Sequence, residues 1–167
     1  MKPVTIAMAG TPNVGKSTIF HTITGADVIV SNYPGTTVEL TESKIHHNGQ
    51  VIKIIDLPGI YSLGALTEDE LVARRVILEQ NPDVIMNIVE ASNLERSLFL
   101  TLQLLALNRP MIIVLNMYDE AIKRGTRPDQ KLLSRMLGVP VIPTVATTGR
   151  NVRAAFELAI KFAGRKR

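Results

Sequence analysis

The apolar run Val4 to Ala9 leads directly into "GTPNVGKS" at residues 10–17, and a helical pattern then continues from Lys16 to Thr24. A loop of the form G-x-x-x-x-G-K-[ST] in that context fixes a strand, a tight turn and a helix N-terminus in order, the opening unit of an α/β sheet. Its chemistry is anion binding, because backbone N–H groups and the helix dipole converge on one point. The N–H groups around Asn13 to Ser17 would surround a β-phosphate, with Gly10, Thr11, Pro12, Val14, Gly15 and Thr18 completing the loop. Lys16 would bridge β- and γ-oxygens, and the Ser17 hydroxyl would ligate Mg²⁺.

The remaining pattern repeats the strand–helix alternation. Strands are expected at Val38 to Ile45, Val51 to Asp56, Val84 to Val89, "PMIIVLNM" and "VPVIPTVA", and the Asn48-Gly49 pair signals a hairpin between the first two of these. Thr67-Glu68-Asp69-Glu70 reads as a capping box opening a helix to about Glu79. Leu94, Leu98, Leu102 and Leu105 form one stripe of another helix, and "PDQKLLSRML" and "NVRAAFELAIKF" give two more. The expected fold is a single α/β domain over residues 1–167: a doubly wound, mostly parallel six-stranded sheet with one antiparallel hairpin strand and helices on both faces.

Three further motifs fall at strand ends. "DLPG" (Asp56, Leu57, Pro58, Gly59) places a carboxylate for the same Mg²⁺, held through water, and the Gly59 N–H for a γ-phosphate. "YPGTTVE" offers Gly35, Thr36 and Thr37, and spacing alone leaves either threonine as the remaining Mg²⁺ ligand. In "NMYD", the Asp119 carboxylate can accept both N1–H and N2–H₂ of guanine, which adenine does not offer, while Asn116 ties the base to the phosphate loop and Met117 covers the purine face. "VATTG", with Val145, Ala146 and Thr147, should aim the Ala146 N–H at guanine O6. The ordered set points to GTP.

Composition narrows the alternatives. No cysteine is present, which excludes disulfides and thiolate metal sites, and no apolar run approaches the roughly 18 to 20 residues of a membrane helix. The net charge of +4 falls to +1 without Arg165, Lys166 and Arg167, so no dedicated nucleic-acid face is expected. His46 and His47, adjacent at the hairpin tip, point to opposite strand faces and suit one metal poorly. His21 reads as structural, and Glu68, Asp69 and Glu70 suit a helix N-terminus.

"GTPNVGKSTIF", "SNYPGTTVE", "DLPGIYSL", "ASNLERSLFLTLQLL" and "NMYDEA" together resemble the cytosolic G domain of FeoB-type ferrous iron transporters, from Val4 to Phe162. The resemblance implies a P-loop GTPase whose cycle regulates or drives ferrous iron transport on the cytoplasmic side of a cell membrane, with self-association a further expectation. It also implies helical and membrane domains that this chain does not include. The alignment selects Thr37 over Thr36 for Mg²⁺. Thr11, Ser31 and Tyr33 depart from the family's Asn, Gly and Trp.

Ile60 occupies the position where Ras-like enzymes carry a water-orienting Gln, and no Arg or Lys lies between Ala26 and Leu40. Hydrolysis should therefore be slow or assisted from elsewhere. Asn13 offers a neutral oxygen near the β-phosphate. The resemblance extends to potassium-stimulated GTPases, implying K⁺ held by Asn13 and by carbonyls of Ser31 and Tyr33, with backbone near Thr36 and Thr37 positioning water. The expected catalytic set is thus Asn13, Lys16, Thr37 and Gly59. Two other readings are an RNA- or ribosome-assembly GTPase and a nucleotide-sensing module with negligible hydrolysis.

Overall fold

The computed structural model describes residues 3–163 and Arg165; Lys166 and Arg167, part of the basic tail noted above, lie outside them. Seven strands form one sheet in the order β2-β3-β4-β1-β5-β6-β7. They are β1 (Val4–Gly10), β2 (Ile29–Asn32), β3 (Glu39–His47), β4 (Gln50–Asp56), β5 (Val84–Glu90), β6 (Met111–Asn116) and β7 (Val141–Pro143). Parallel pairing joins β4, β1, β5, β6 and β7, and β3 runs antiparallel to both β2 and β4.

The doubly wound α/β architecture agrees with the sequence, with one strand more than the expected six. The extra strand, β2, has four exposed residues, with Ile29 at 65% and Val30 at 56%. An edge strand with neither face buried has no reason to alternate, so its sequence carries no period-two signal. The Asn48-Gly49 hairpin forms as expected, with positive φ at both residues, as a type I′ turn requires.

Alternation along the central strand divides the interior. Ile6 and Met8 face one core with α1 (Lys16–Thr24) and α6 (Val152–Ala163); Ala7 and Ala9 face another with α2 (Glu68–Arg75) and α3 (Leu94–Ala106). Phe20, Ala155 and Phe156 fill the first core, and Val72, Ala73, Leu100 and Leu104 fill the second. Two short helices, α4 (Tyr118–Lys123) and α5 (Gln130–Leu137), complete the set. α4 was not expected, because six residues give less than two turns of pattern.

The helix expected to reach Glu79 is α-helical only to Arg75 and continues as a π-helical turn from Val76 to Gln80. Its N-terminus is capped by Thr67, whose side chain accepts from the Glu70 N–H at 3.1 Å. The Glu70 carboxylate bonds Ser62 and the Leu66 N–H instead of completing the box at Thr67. The last strand is shorter than "VPVIPTVA" suggests and ends at Pro143, although the Thr144 N–H still donates to the Leu115 carbonyl at 2.9 Å.

A buried polar pair joins β5 to α3: Asn87 Nδ2 donates to Thr101 Oγ1 at 2.6 Å, and that hydroxyl donates to the Ser97 carbonyl at 3.2 Å. Replacing the hydroxyl by a methyl leaves the amide without its partner in the dry core. Thr101→Val should therefore destabilise the fold by about 1–3 kcal/mol in urea unfolding, although the side chain keeps its shape.

Candidate nucleotide site

β1 sits in the middle of the sheet, so the loop after Gly10 emerges at the carboxyl end of the parallel strands, where β4, β6 and the loop after β7 also deliver their motifs. A cleft of about 520 Å³ opens there, lined by the phosphate loop from Thr11 to Thr18 together with Gly59 and Met117. Gly59 packs so tightly on Pro12 that a Cβ would lie 3.1 Å from its Cα. The Ile60 N–H donates to the Gly10 carbonyl at 3.1 Å, which fastens the segment after Asp56, termed the second switch, onto the phosphate loop.

The charged floor is made by three residues from two elements. Lys16, only 8% exposed, directs Nζ to the Asp56 carboxylate and to the Leu57 carbonyl. Ser17 Oγ lies 3.5 Å from the other carboxylate oxygen of Asp56. A hydroxyl and a carboxylate converging at a helix N-terminus form a hard-oxygen donor set beside a phosphate-binding loop, which fits Mg²⁺.

The side of the cleft expected to face a base is organised by Asn116, 1% exposed at the end of β6. Its Nδ2 donates to the Val14 carbonyl at 2.8 Å, and its Oδ1 accepts from Thr144 Oγ1 at 3.1 Å and from the Ala146 N–H at 3.0 Å. One amide thus joins the phosphate loop to the loop after β7. Gly15 is required at this contact: its φ is +86°, and a Cβ would lie 2.3 Å from Asn116 Nδ2. Thr144 was not expected to take part, since a lone threonine between prolines and valines has no signature of its own.

The Ala146 N–H, expected at guanine O6, is directed to Asn116 in this arrangement. Val145 is bridged to Arg150, and Thr147 is exposed. Met117 adopts a left-handed conformation, φ +58°, that starts α4 and brings Asp119 into its first turn. Lys123 lies 3.8 Å from the Asp119 carboxylate. Its ammonium is held above the usual lysine range chiefly by the hydrogen bond and charge of Glu120, with Asp119 adding to it.

The segment from Ala26 to Leu40, termed the first switch, lies apart from the cleft lining. Thr36 closes a turn, donating from N and Oγ1 to the Tyr33 carbonyl at 3.0 and 2.9 Å. Thr37 is exposed and donates to Glu68 Oε2 at 3.1 Å, and Tyr33 Oη donates to Glu79 Oε2 at 3.3 Å. Gly35 turns the chain with φ +75°, and Ser31 lies in β2 opposite Leu40. Asn13 is exposed with φ +66°, a backbone region that asparagine tolerates better than most residues. Ile60 is 2% exposed within the core of α2 and α3, and its side chain serves packing. At the hairpin tip the His47 ring lies edge-on to Phe156, with 5.3 Å between ring centroids, and its Nε2 is 3.2 Å from Asn48 Nδ2.

The family model described as Ferrous iron transport protein B matches residues 4–158. The Fe(2+) transporter FeoB of Salmonella typhimurium is 46% identical over 164 residues, covering 96% of this chain and 21% of that protein. The Fe(2+) transport protein A/Fe(2+) transporter FeoB fusion protein of Porphyromonas gingivalis is 44% identical over 158 residues, 94% of this chain and 19% of the relative. This chain therefore spans only about a fifth of the length of these curated relatives. The cytosolic domain of T. maritima FeoB in a GDP form superposes with a TM-score of 0.93 at 37% identity, covering 98% of this chain and 65% of that one. For the FeoB G-domain from Methanococcus jannaschii the TM-score is 0.84 at 40% identity, with 98% of each chain covered.

Since Asn116 carries three buried hydrogen bonds, Asn116→Ala should cost about 3 kcal/mol in chemical denaturation, more than an ordinary surface truncation. Gly15→Ala should destabilise through the same contact, and Asn116→Ala in that background should add little further loss.

Proposed function

Because this chain belongs to the ferrous iron transport protein B family, as a G domain, we propose that it binds and hydrolyses GTP and that this cycle regulates or drives ferrous iron movement through the rest of the transporter. The observation that carries the reading is the Asn116 junction, which sets a base-reading segment at a fixed distance from a phosphate loop. The family relationship adds a relative crystallised in a GDP form. Asp119 supplies the acceptor pair that distinguishes guanine from adenine. Lys16 neutralises phosphate charge, and the loop N–H groups orient it.

Ser17 and Asp56 would hold Mg²⁺, which would offset charge on the β- and γ-phosphates; Thr37 would join them after leaving Glu68. Ile60 has no polar atom with which to orient water, so assistance has to come from the opposite side of the phosphates. Asn13 is the side chain suited to K⁺ there, a cation that would supply charge where other enzymes place an arginine. Ser31 remains a carbonyl candidate. The Tyr33 carbonyl already accepts two bonds within its turn and fits that role only if the turn opens.

Phosphate release in KCl and NaCl at equal ionic strength tests the scheme. Wild type should turn over GTP, not ATP, and faster in KCl. Asn13→Gly retains the left-handed backbone and should abolish the difference between salts while leaving GDP affinity within a few fold. Equal wild-type rates would remove the K⁺ role. No release in either salt would leave a sensing module.

A further inference from the structure

The net charge of the protein is not evenly spread. Between Lys123 and Arg135 stand five of the nineteen basic residues and one of the fifteen acidic ones; the remainder of the chain balances, fourteen against fourteen. The whole formal charge of +4 thus equals that of one short segment. All five cations are exposed. Lys123 pairs with Glu120 and, more distantly, with Asp119, whereas the side chains of Arg124, Arg127, Lys131 and Arg135 make no ion pair or hydrogen bond among the described residues.

Apolar side chains share this surface. α5 has no fully buried residue. At about 100° per residue, Lys131, Arg135, Leu132 and Met136 occupy one continuous outer arc, while Leu133 and Leu137 face the core. Leu132 is 45% exposed, Met136 73%, and Ile122, at the preceding helix, 48%. The helix is held by its inner polar residues: Gln130 Nε2 donates to the Val141 carbonyl and Ser134 Oγ to the Val139 carbonyl, both at 2.8 Å. Beside it, at the β7 edge of the sheet, lies a cleft of about 510 Å³ flanked by Lys131 and Arg135.

We propose that the α4–α5 segment is a docking surface for an anionic lipid membrane, with α5 lying along the headgroups. The inference stands apart from the GTPase reading, since it rests on charge and exposure away from the nucleotide cleft. Cations unpaired within the protein gain partners at a negatively charged surface, and the adjacent Leu132 and Met136 can enter the headgroup–acyl boundary. RNA is the other polyanion to consider. The one aromatic residue of the segment, Tyr118, packs against the core with its hydroxyl donating to the Pro128 carbonyl and so is not free for base stacking, whereas Ile122, Leu132 and Met136 are exposed apolar side chains, a combination that favours lipid.

Co-sedimentation of the 167-residue chain with vesicles decides the matter. Vesicles of phosphatidylcholine mixed with phosphatidylglycerol should bind the chain at low salt, and pure phosphatidylcholine should not. The double variant Lys131→Glu/Arg135→Glu should bind the mixed vesicles at least about tenfold more weakly, since each cation near such a surface contributes measurably. Leu132→Ser/Met136→Ser should lose the binding that survives raised salt. The four side chains are exposed, so circular dichroism and phosphate release should not change. Equal binding to neutral and anionic vesicles, or binding indifferent to both double variants, overturns the proposal. So does a charge-dependent affinity for single-stranded RNA without vesicle binding, or a shift to dimers in light scattering that both double variants abolish.

Discussion

The site depends on a single amide. Asn116 ends a fully buried strand, and through its two side-chain atoms it holds the phosphate loop at Val14 and the far loop at Thr144 and Ala146. In a dry setting these bonds tolerate little displacement, because losing one leaves a polar atom without water to replace its partner. Gly15 is the counterpart: a left-handed residue without a side chain is what lets the amide pass so close to the loop. Two loops more than a hundred residues apart in sequence are thereby fixed against one another before any ligand contributes.

The first switch is governed by a different balance. Two hydroxyl–carboxylate contacts, Thr37 to Glu68 and Tyr33 to Glu79, fasten it to α2 and to the π-helical turn that follows. Tyr33 also packs against the core of that face. The Thr37 contact is between exposed groups, where a hydrogen bond contributes only about 1 kcal/mol, so the hydroxyl can exchange one oxygen partner for another at small cost. The Thr36 hydroxyl is bound into its own turn and is less free to move. That difference between neighbouring threonines is local chemistry which spacing in the sequence leaves open.

Much of the architecture is legible because buried strands are apolar and helices carry periodic patterns, but the leucine stripe of α3 misleads: its buried face is Ser97, Leu100, Thr101 and Leu104, and Leu102 is 57% exposed, because leucines fill more than one face. The elements that escaped notice lack that constraint: β2 is exposed on both faces, α4 is too short for a period, and the π-helical turn has no compositional mark. At the site, motif spacing singles out the phosphate loop, Asp56, Gly59 and Asn116, and the fold sets Lys16 against Asp56, Asn116 against Val14, and Gly59 beside the loop. Thr144 and the two glutamates that hold the first switch were not. Their partners are set by how loops close in three dimensions, and a single threonine or glutamate looks alike wherever it falls.

The π-helical turn from Val76 to Gln80 resets the helical phase. A wider turn takes up about one extra residue in the winding, so positions within it are shifted from the regular spacing of α2. Val72, Ala73, Val76 and Ile77 share one apolar face at ordinary helical spacing, and Glu79, inside the widened turn, meets Tyr33. A deletion or insertion of one residue within the turn would leave the hydrophobic composition and the Thr37–Glu68 contact intact and still part Glu79 from Tyr33.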